Sequence, residues 1–425
     1  MSRVIVVGGG IGGLATALSI ARRGHRVVVL ERADRFAEIG AGIQIAPNGL
    51  HALDQLGVGD PVRACSVRMD ELRFMDGVTG EHVVSLPLTE EYQRRFGNPY
   101  VVVHRADLHQ VLLEACRGWA SIELRSGCAV TGYVQDAKSA TAVLSTGERI
   151  TGAALIGADG IHSTIRRQLI GDGEPRVSGI TVYRSVIPME KVPEELRFLR
   201  SVTWWAGPNC HFVHYPIGGG RYLNLAASKD DGGTEAFAGV PVERARVRHE
   251  FAVMGEIPRR LLELGDGWKT WMLVDRDPVA NWTDGRVVLL GDAAHPMLHY
   301  AAQGACQAIE DAVLLGELMD GVDDGFAQCF EKYNAERRER TARIQLLARE
   351  SIRLWHPAGA AAKARNQMLA ALSPTQLHDH VAWLHDQRVP LDPTIHSYVV
   401  DEPYYAYVAD PAQSNRCVGH IDRIT

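Results

Sequence analysis

The chain has no cysteine framework. Its seven cysteines are scattered through 425 residues with no CxxC pair, so neither a disulfide scaffold nor a zinc site is indicated, and a reducing cytoplasmic setting fits. It also has no apolar run of about 18 residues, the least that could span a bilayer. The apolar N-terminus is broken by glycines and runs straight into a domain pattern, unlike a secretory leader. Basic excess is missing as well: the formal net charge is −6, which gives no electrostatic reason to expect nucleic acid as a partner. There is no repeat and no low-complexity tract. With 46% hydrophobic and 23% charged residues, the composition is that of an ordinary globular protein, and the length exceeds what one core usually fills.

What is present begins at the first residues. RVIVV at 3–7 is short, β-branched and bounded by glycine, the pattern of a buried strand. GGGIGG follows at 8–13, then LATALSIARRG with apolar residues at helical spacing, then a second strand, HRVVVLE, at 25–31. Gly8, Gly10 and Gly13 fit GxGxxG, and Glu31 stands 18 residues beyond Gly13 at the end of the second strand. This is the layout of a dinucleotide-binding βαβ unit. Gly8 allows the tight turn, Gly10 lets backbone approach a pyrophosphate, and Gly13 lets helix and strand pack closely. The helix N-terminus offers free N–H groups to phosphate, and Glu31 would hold a ribose hydroxyl pair. The neighbouring Arg32 is a further candidate at the same edge.

Three β-like stretches between about 125 and 158 read as a meander. From about 175 to 275 the texture becomes alternating strands rich in Tyr, Trp and Val, which predicts a mostly antiparallel second sheet joined by residues 70–88. GGG at 218–220 lies between two strand patterns and reads as a hairpin turn. FEKYNAERRERTARIQLLARESIRL has a continuous helical pattern, whereas the last 50 or so residues show no clear period. The fold expected is α/β: a Rossmann-like dinucleotide-binding domain with a β-meander, a mostly antiparallel substrate domain, and C-terminal helices. The expected division is 1–70, 101–174 and 276–345 for the nucleotide domain, 71–100 and 175–275 for the substrate domain, and 346–425 for a C-terminal helical region.

Two acidic strand ends complete the pattern. GADGIHSTIR, 157–166, places Asp159-Gly160 after an apolar run, and Gly291-Asp292 follows RVVLL at the lip of a helix. Either pair alone is compatible with a simple turn. The ordered trio of GxGxxG, Asp159-Gly160 and Gly291-Asp292 resembles that of the group A flavoprotein aromatic hydroxylases, which have the para-hydroxybenzoate hydroxylase fold. The likeness covers roughly residues 3–340. It implies FAD as cofactor, NADH or NADPH as transient electron donor, and O2 and a small aromatic acid as the other reactants. Hydroxylation would proceed through a flavin C4a-hydroperoxide. The resemblance places Arg105, in HRADLH, beside the FAD phosphates and Asp292 on the ribityl chain. Gly304 and Ala305 would open a helix whose N–H groups face the N1/C2=O edge of the flavin. Such a helix end contributes only about 0.3–1 kcal/mol, or about 2 when partly buried.

His299 stands where most relatives have proline, and Ala302 where many have glycine. The polar residue at 299 and the strand CHFVHYP resemble the 3-hydroxybenzoate 6-hydroxylase and salicylate hydroxylase branch. A phenol is attacked faster once deprotonated, so the site needs a base: His211 or His299 could serve, with Tyr215 relaying the proton or binding a carboxylate. Residues four apart share a sheet face, which puts His211 with Tyr215 and leaves Phe212 and His214 on the other side. His295 is read as a turn-packing residue, and Trp204, Trp205, Phe212 and Tyr300 as candidate pocket walls. Each of these side chains also has a purely structural reading as a satisfied core residue. The first substrate guess is 3-hydroxybenzoate and the second salicylate. A same-fold oxidoreductase or epoxidase acting on a larger natural product, or a non-catalytic flavin-binding redox protein, are the competing readings. No membrane, metal or nucleic-acid partner is expected, and a homodimer is compatible with the sequence.

Overall fold

Arg3–Val7 carries five residues of which four are fully covered, because both faces of its sheet are packed. The computed structural model describes residues 2–38 and 41–388. In it this strand lies between Ala154–Gly157 and Arg26–Leu30, paired in parallel with both. The sheet runs, in spatial order, Thr283–Asp284, Val287–Leu289, Ala154–Gly157, Arg3–Val7, Arg26–Leu30, Ile122–Arg125. Only the Thr283–Asp284 edge is antiparallel. A three-stranded antiparallel meander, Val130–Gln135, Ala140–Leu144 and Arg149–Gly152, lies beside it.

Two helices cross on this sheet at small residues. A Cβ on Gly12 of helix Ile11–Arg22 would touch Ala308, and one on Gly316 of helix Gly304–Leu318 would lie 2.1 Å from Ser19 Oγ. Close approach of the two backbones therefore fixes their N-termini side by side over the strand ends.

The second sheet has eight strands in the order Val240–Pro241, Lys269–Asp275, Arg176–Pro188, Tyr222–Asp230, Cys210–Ile217, Ser201–Gly207, Glu71–Asp76, His82–Pro87. All pairs are antiparallel except Ser201–Gly207 with Glu71–Asp76. The turn joining Cys210–Ile217 to Tyr222–Asp230 contains Gly218, Gly219 and Gly220, all at positive φ. One face packs on a core that includes Trp205, Phe212, Phe251 and Trp268. The other faces the first sheet. Helices Gly359–Ala370 and Pro374–His385 close the described chain, the latter capped by Ser373 and Gln376. The rest of the region expected to be helical, from 389 on, lies outside the described residues, as does Cys417.

The long helix Phe326–Glu350 ties these parts together by charge. Arg337, buried, binds Asp311 Oδ1 and Glu310 Oε2, both at 2.6 Å, and Arg340 adds a second contact to Glu310 at 3.0 Å. Asp311 Oδ2 also accepts the Gly291 amide at 3.0 Å and faces His295 Nε2 at 2.6 Å. Burial opposes ionisation of Asp311, but His295 and Arg337 outweigh it and hold the carboxyl well below its usual range. Removing one member of such a cluster strands buried charge, so Arg337→Ala should cost about 3–5 kcal/mol of stability. Denaturant unfolding of the variant against the parent protein measures this.

Candidate active site

The two helix N-termini and the inner face of the second sheet enclose a single cleft of about 690 Å³. At its outer end, Gly8 has φ +107°, and a Cβ there would lie 2.3 Å from the Ala158 carbonyl oxygen. A Cβ on Gly13 would lie 1.9 Å from Gly8 O, so this glycine seats the helix on the turn and does not line the cleft itself. Gly10 is the N-cap of helix Ile11–Arg22, and the nearest atom to a Cβ there is Glu38 Oε1 at 3.4 Å. The free backbone N–H groups of this helix end face the cleft, where they could meet a phosphate.

Glu31 accepts the Gly9 amide with Oε2 and the Ala33 amide with Oε1, each at 2.8 Å, which fixes its carboxylate at the cleft wall. Arg32 lies exposed at the rim. Arg105 pairs through Nε with Glu38 Oε2 at 2.9 Å. His109, which the sequence did not single out, holds the Gly9 carbonyl through Nε2 at 2.8 Å.

Further in, Asp159 accepts from Ser163 Oγ and from the Thr164 amide at 2.7 Å, so one wall of the cleft is also the cap of helix Thr164–Leu169. Arg166 of that helix donates to the carbonyls of Ala293 at 3.0 Å and Ala294 at 2.7 Å. The two acidic strand ends are thereby joined. Asp292 faces the cleft, open to solvent yet hemmed in by protein, and burial raises its carboxyl pKa. Gly304 and Ala305 line the cleft at the start of their helix. Ala302, just before it, is left-handed at φ +51°. A residue with a Cβ adopts this at a cost of about 1–2 kcal/mol, which explains why glycine suits that position.

The inner end is built on one sheet face. Register places Trp204 opposite Val213, Val213 opposite Ala226, and Ala226 opposite Arg184. All four line the cleft, together with His211, Tyr215 and Asn224. His211 Nδ1 bonds His356 Nε2 at 2.9 Å, and its ring stands 5.8 Å from that of His299 and 5.0 Å from that of Tyr300. His299 Nε2 is 3.4 Å from Ser228 Oγ, while its buried Nδ1 has no hydrogen-bond partner among the described residues.

Tyr215 sits four residues along the strand from His211, about 13 Å away. Its hydroxyl donates to the Gly42 carbonyl at 2.8 Å. The structure joins His211 to His356 and does not bring Tyr215 to it. Asn224 accepts the Gly42 amide through Oδ1 at 3.0 Å, leaving a buried Nδ2 unpaired.

Of the four aromatic wall candidates, Trp204 and Tyr300 line the cleft. Trp205 and Phe212 do not. Strand alternation turns both into the core on the far side of the sheet. His295 packs beneath the turn against Asp311, outside the cleft lining. Trp355, Asn224 and Arg184 also line the cleft, and His356 lies behind His211, none of them marked by a motif in the sequence. Arg184 carried a signal, a charge inside the apolar strand ITVYRSVIP. It has no carboxylate partner among the described residues, an unpaired Nε, and its guanidinium over the Trp271 ring at 5.7 Å.

Burial sets the charge state of this chamber. It pushes the His299 ring down to about 3, assisted by Arg184 and His356, and holds His211 far below its ordinary value, assisted by His356 and His299. Both imidazoles are therefore neutral at neutral pH.

Comparison with known proteins gives one family. The sequence family described as FAD binding domain matches residues 1–200 and 257–347. The chain is 48% identical over 389 residues to 3-hydroxybenzoate 6-hydroxylase 1 of Aquipseudomonas alcaligenes, covering 90% of this chain and 97% of that one. It is 42% identical to the 3-hydroxybenzoate 6-hydroxylase of Polaromonas naphthalenivorans, over 91% of this chain and 96% of the other. Among solved structures it resembles Klebsiella pneumoniae HpxO in complex with FAD and uric acid, with a TM-score of 0.79, 27% identity, and coverage of 89% of this chain and 95% of that one. No helix among the described residues is long and apolar enough to cross a membrane.

Histidines held neutral by burial make the protein sensitive to acid. His214 and His385 are pushed down to about 3 by burial, like His299. Below the unfolded value near 6.5 the unfolded chain binds more protons, so stability present above that pH is lost as pH falls toward 3. The loss is about 1.4 kcal/mol per pH unit for each ring. Neither ring nitrogen of His214 has a partner among the described residues, and it packs beside Phe212. His214→Phe should therefore flatten the acid limb of a stability-against-pH curve by about one proton.

Proposed function

The chain belongs to the FAD binding domain family and, on that premise, we propose that this flavin-dependent aromatic monooxygenase hydroxylates 3-hydroxybenzoate at ring carbon 6, drawing electrons from NADH or NADPH. The observation that carries the reading is a single chamber wall that presents a neutral imidazole, His211, and a guanidinium, Arg184, without an acid partner among the described residues.

The cleft fits the cofactor on its own geometry. Its outer end offers the open helix end at Gly10, the fixed Glu31 carboxylate and Arg105. Its middle offers Asp159, Asp292 and the helix end at Gly304-Ala305. In this reading Glu31 and Arg32 hold the adenosine side, Gly8, Gly10 and Arg105 the phosphates, and Asp292 the ribityl chain. Gly13 supports the turn. Bound FAD, reduced by the nicotinamide, supplies activated oxygen for electrophilic transfer to the ring. The two sheets support a division in which 1–70, 101–174 and 276–345 serve the cofactor and 71–100 with 175–275 the substrate.

The remaining chemistry falls to side chains. In 3-hydroxybenzoate, carbon 6 is para to the hydroxyl, so electron density released by deprotonation reaches it directly. His211, bound through Nδ1 to His356, turns Nε2 to the chamber and takes the phenol proton. His299 lies beside it and limits polar freedom at the hydroxyl end. Arg184 pairs with the carboxylate, and the free Nδ2 of Asn224 adds a donor. Tyr215 steadies the Gly42 segment that carries part of the cofactor wall. Trp204, Tyr300 and Trp355 keep water from the reacting ring.

Nicotinamide oxidation stimulated by 3-hydroxybenzoate, with 2,5-dihydroxybenzoate as product by mass spectrometry, tests the reading. Stimulation by salicylate alone, or by no phenol at all, refutes it. His211→Ala should lower product formation about 100-fold and divert oxygen to peroxide while FAD stays bound. Arg184→Gln should raise KM for 3-hydroxybenzoate about tenfold or more, the loss expected for a charge-assisted hydrogen bond.

A further inference from the structure

A base inside a closed chamber must dispose of its proton. If His211 kept it, an imidazolium would remain buried beside His299, Arg184 and Tyr300, which burial strongly disfavours. The side chain that meets its second nitrogen comes from 145 residues away: His356, at the end of helix Ile352–Trp355, with Nε2 at 2.9 Å from His211 Nδ1 and the two rings stacked at 5.2 Å. His356 is itself buried, and its Nδ1 has no hydrogen-bond partner among the described residues. That nitrogen lies 3.9 Å from Asp230 Oδ2, and the Asp230 side chain is 42% exposed.

Backbone bonds hold this line in place. Asn209, at φ +53° in the turn between two strands, donates its amide to the His356 carbonyl at 3.0 Å and accepts the Asp230 amide at 2.8 Å. One strained turn residue therefore spaces the imidazole from the carboxylate. A further polar neighbour of His356 is the Tyr300 hydroxyl, 3.5 Å from Nε2, with the His299 ring stacked on Tyr300.

We infer that His356 and Asp230 form the exit through which the phenol proton leaves the chamber for solvent, an inference that rests on His211 being the phenol base. The substrate O–H bond breaks as His211 Nε2–H forms. The proton on His211 Nδ1 passes to His356 Nε2, and the one on His356 Nδ1 passes to Asp230 Oδ2, through a small rotation of that half-exposed side chain or one water, and then to bulk. One phenol becomes one phenolate and one solvent proton, with no electron transferred. Both imidazoles end as the opposite tautomer, and the reverse hops reset them when the product oxygen is reprotonated. His356 is a positioning and relay residue; it does not touch the substrate.

Rapid mixing of holoenzyme with 3-hydroxybenzoate and a pH-indicator dye measures the exit directly. In the parent protein one proton per site should be released at a rate independent of buffer concentration. His356→Gln keeps size and a polar contact but breaks the proton path. It should slow release at least tenfold, with small buffers such as imidazole restoring part of the rate and the Kd for 3-hydroxybenzoate near that of the parent. Asp230→Asn should act in the same direction with a smaller effect. If His356→Gln does not retain FAD, Asp230→Asn decides alone, because its side chain is exposed and holds no other part of the fold among the described residues. Parent-like, buffer-independent release in the variants overturns the relay while leaving His211 as base. A parent protein that releases no proton on binding 3-hydroxybenzoate overturns the base assignment, and the relay with it.

Discussion

A buried knot of charge places the chemistry. Asp311 and Glu310 sit side by side on helix Gly304–Leu318, and Arg337 from the long helix neutralises both. The same Asp311 oxygen takes the Gly291 amide and faces His295, so the turn that carries Asp292 is held from beneath by the helix whose N-terminus lines the cleft. Asn48 reaches Glu310 at 2.6 Å from another helix. Buried charge pairs contribute little net stability against a well-packed apolar alternative, but they tolerate few alternative arrangements. The knot acts chiefly by setting position.

The chamber beyond that turn works by exclusion. Packed aromatic side chains and two neutral imidazoles leave Arg184 as a cation with no acid partner among the described residues, and a cation so placed favours an anionic ligand. The electrostatics that make the site receptive to a carboxylate and a phenolate also make a retained proton costly. Binding, base strength and proton disposal are three consequences of one desolvated volume.

The cofactor end of the cleft was legible in the sequence because its requirements are local. Gly8, Gly10, Gly13 and Glu31 fall within one strand, helix, strand unit, and Asp159 and Asp292 each end an apolar strand, so short-range spacing exposes them. The inner wall was legible only in part. Alternation along CHFVHYP separated His211 and Tyr215 from Phe212 and His214, yet it could not show that Trp205 turns away from the cleft while Trp204 faces it, since both belong to one apolar strand. Nor could it show that Tyr215 is occupied by the Gly42 carbonyl.

The sequence by itself determined the nucleotide-binding unit, the two-sheet architecture and the class of chemistry, because strand periodicity and glycine spacing are written over short stretches of chain. Tertiary structure alone decided which polar groups share a volume: Arg184, Asn224 and His299 arrive from separate elements, and His356 meets His211 across 145 residues. Hydrogen bonding and desolvation act over a few ångströms in space, and contacts between residues so far apart in the chain leave no period in the sequence that would reveal them.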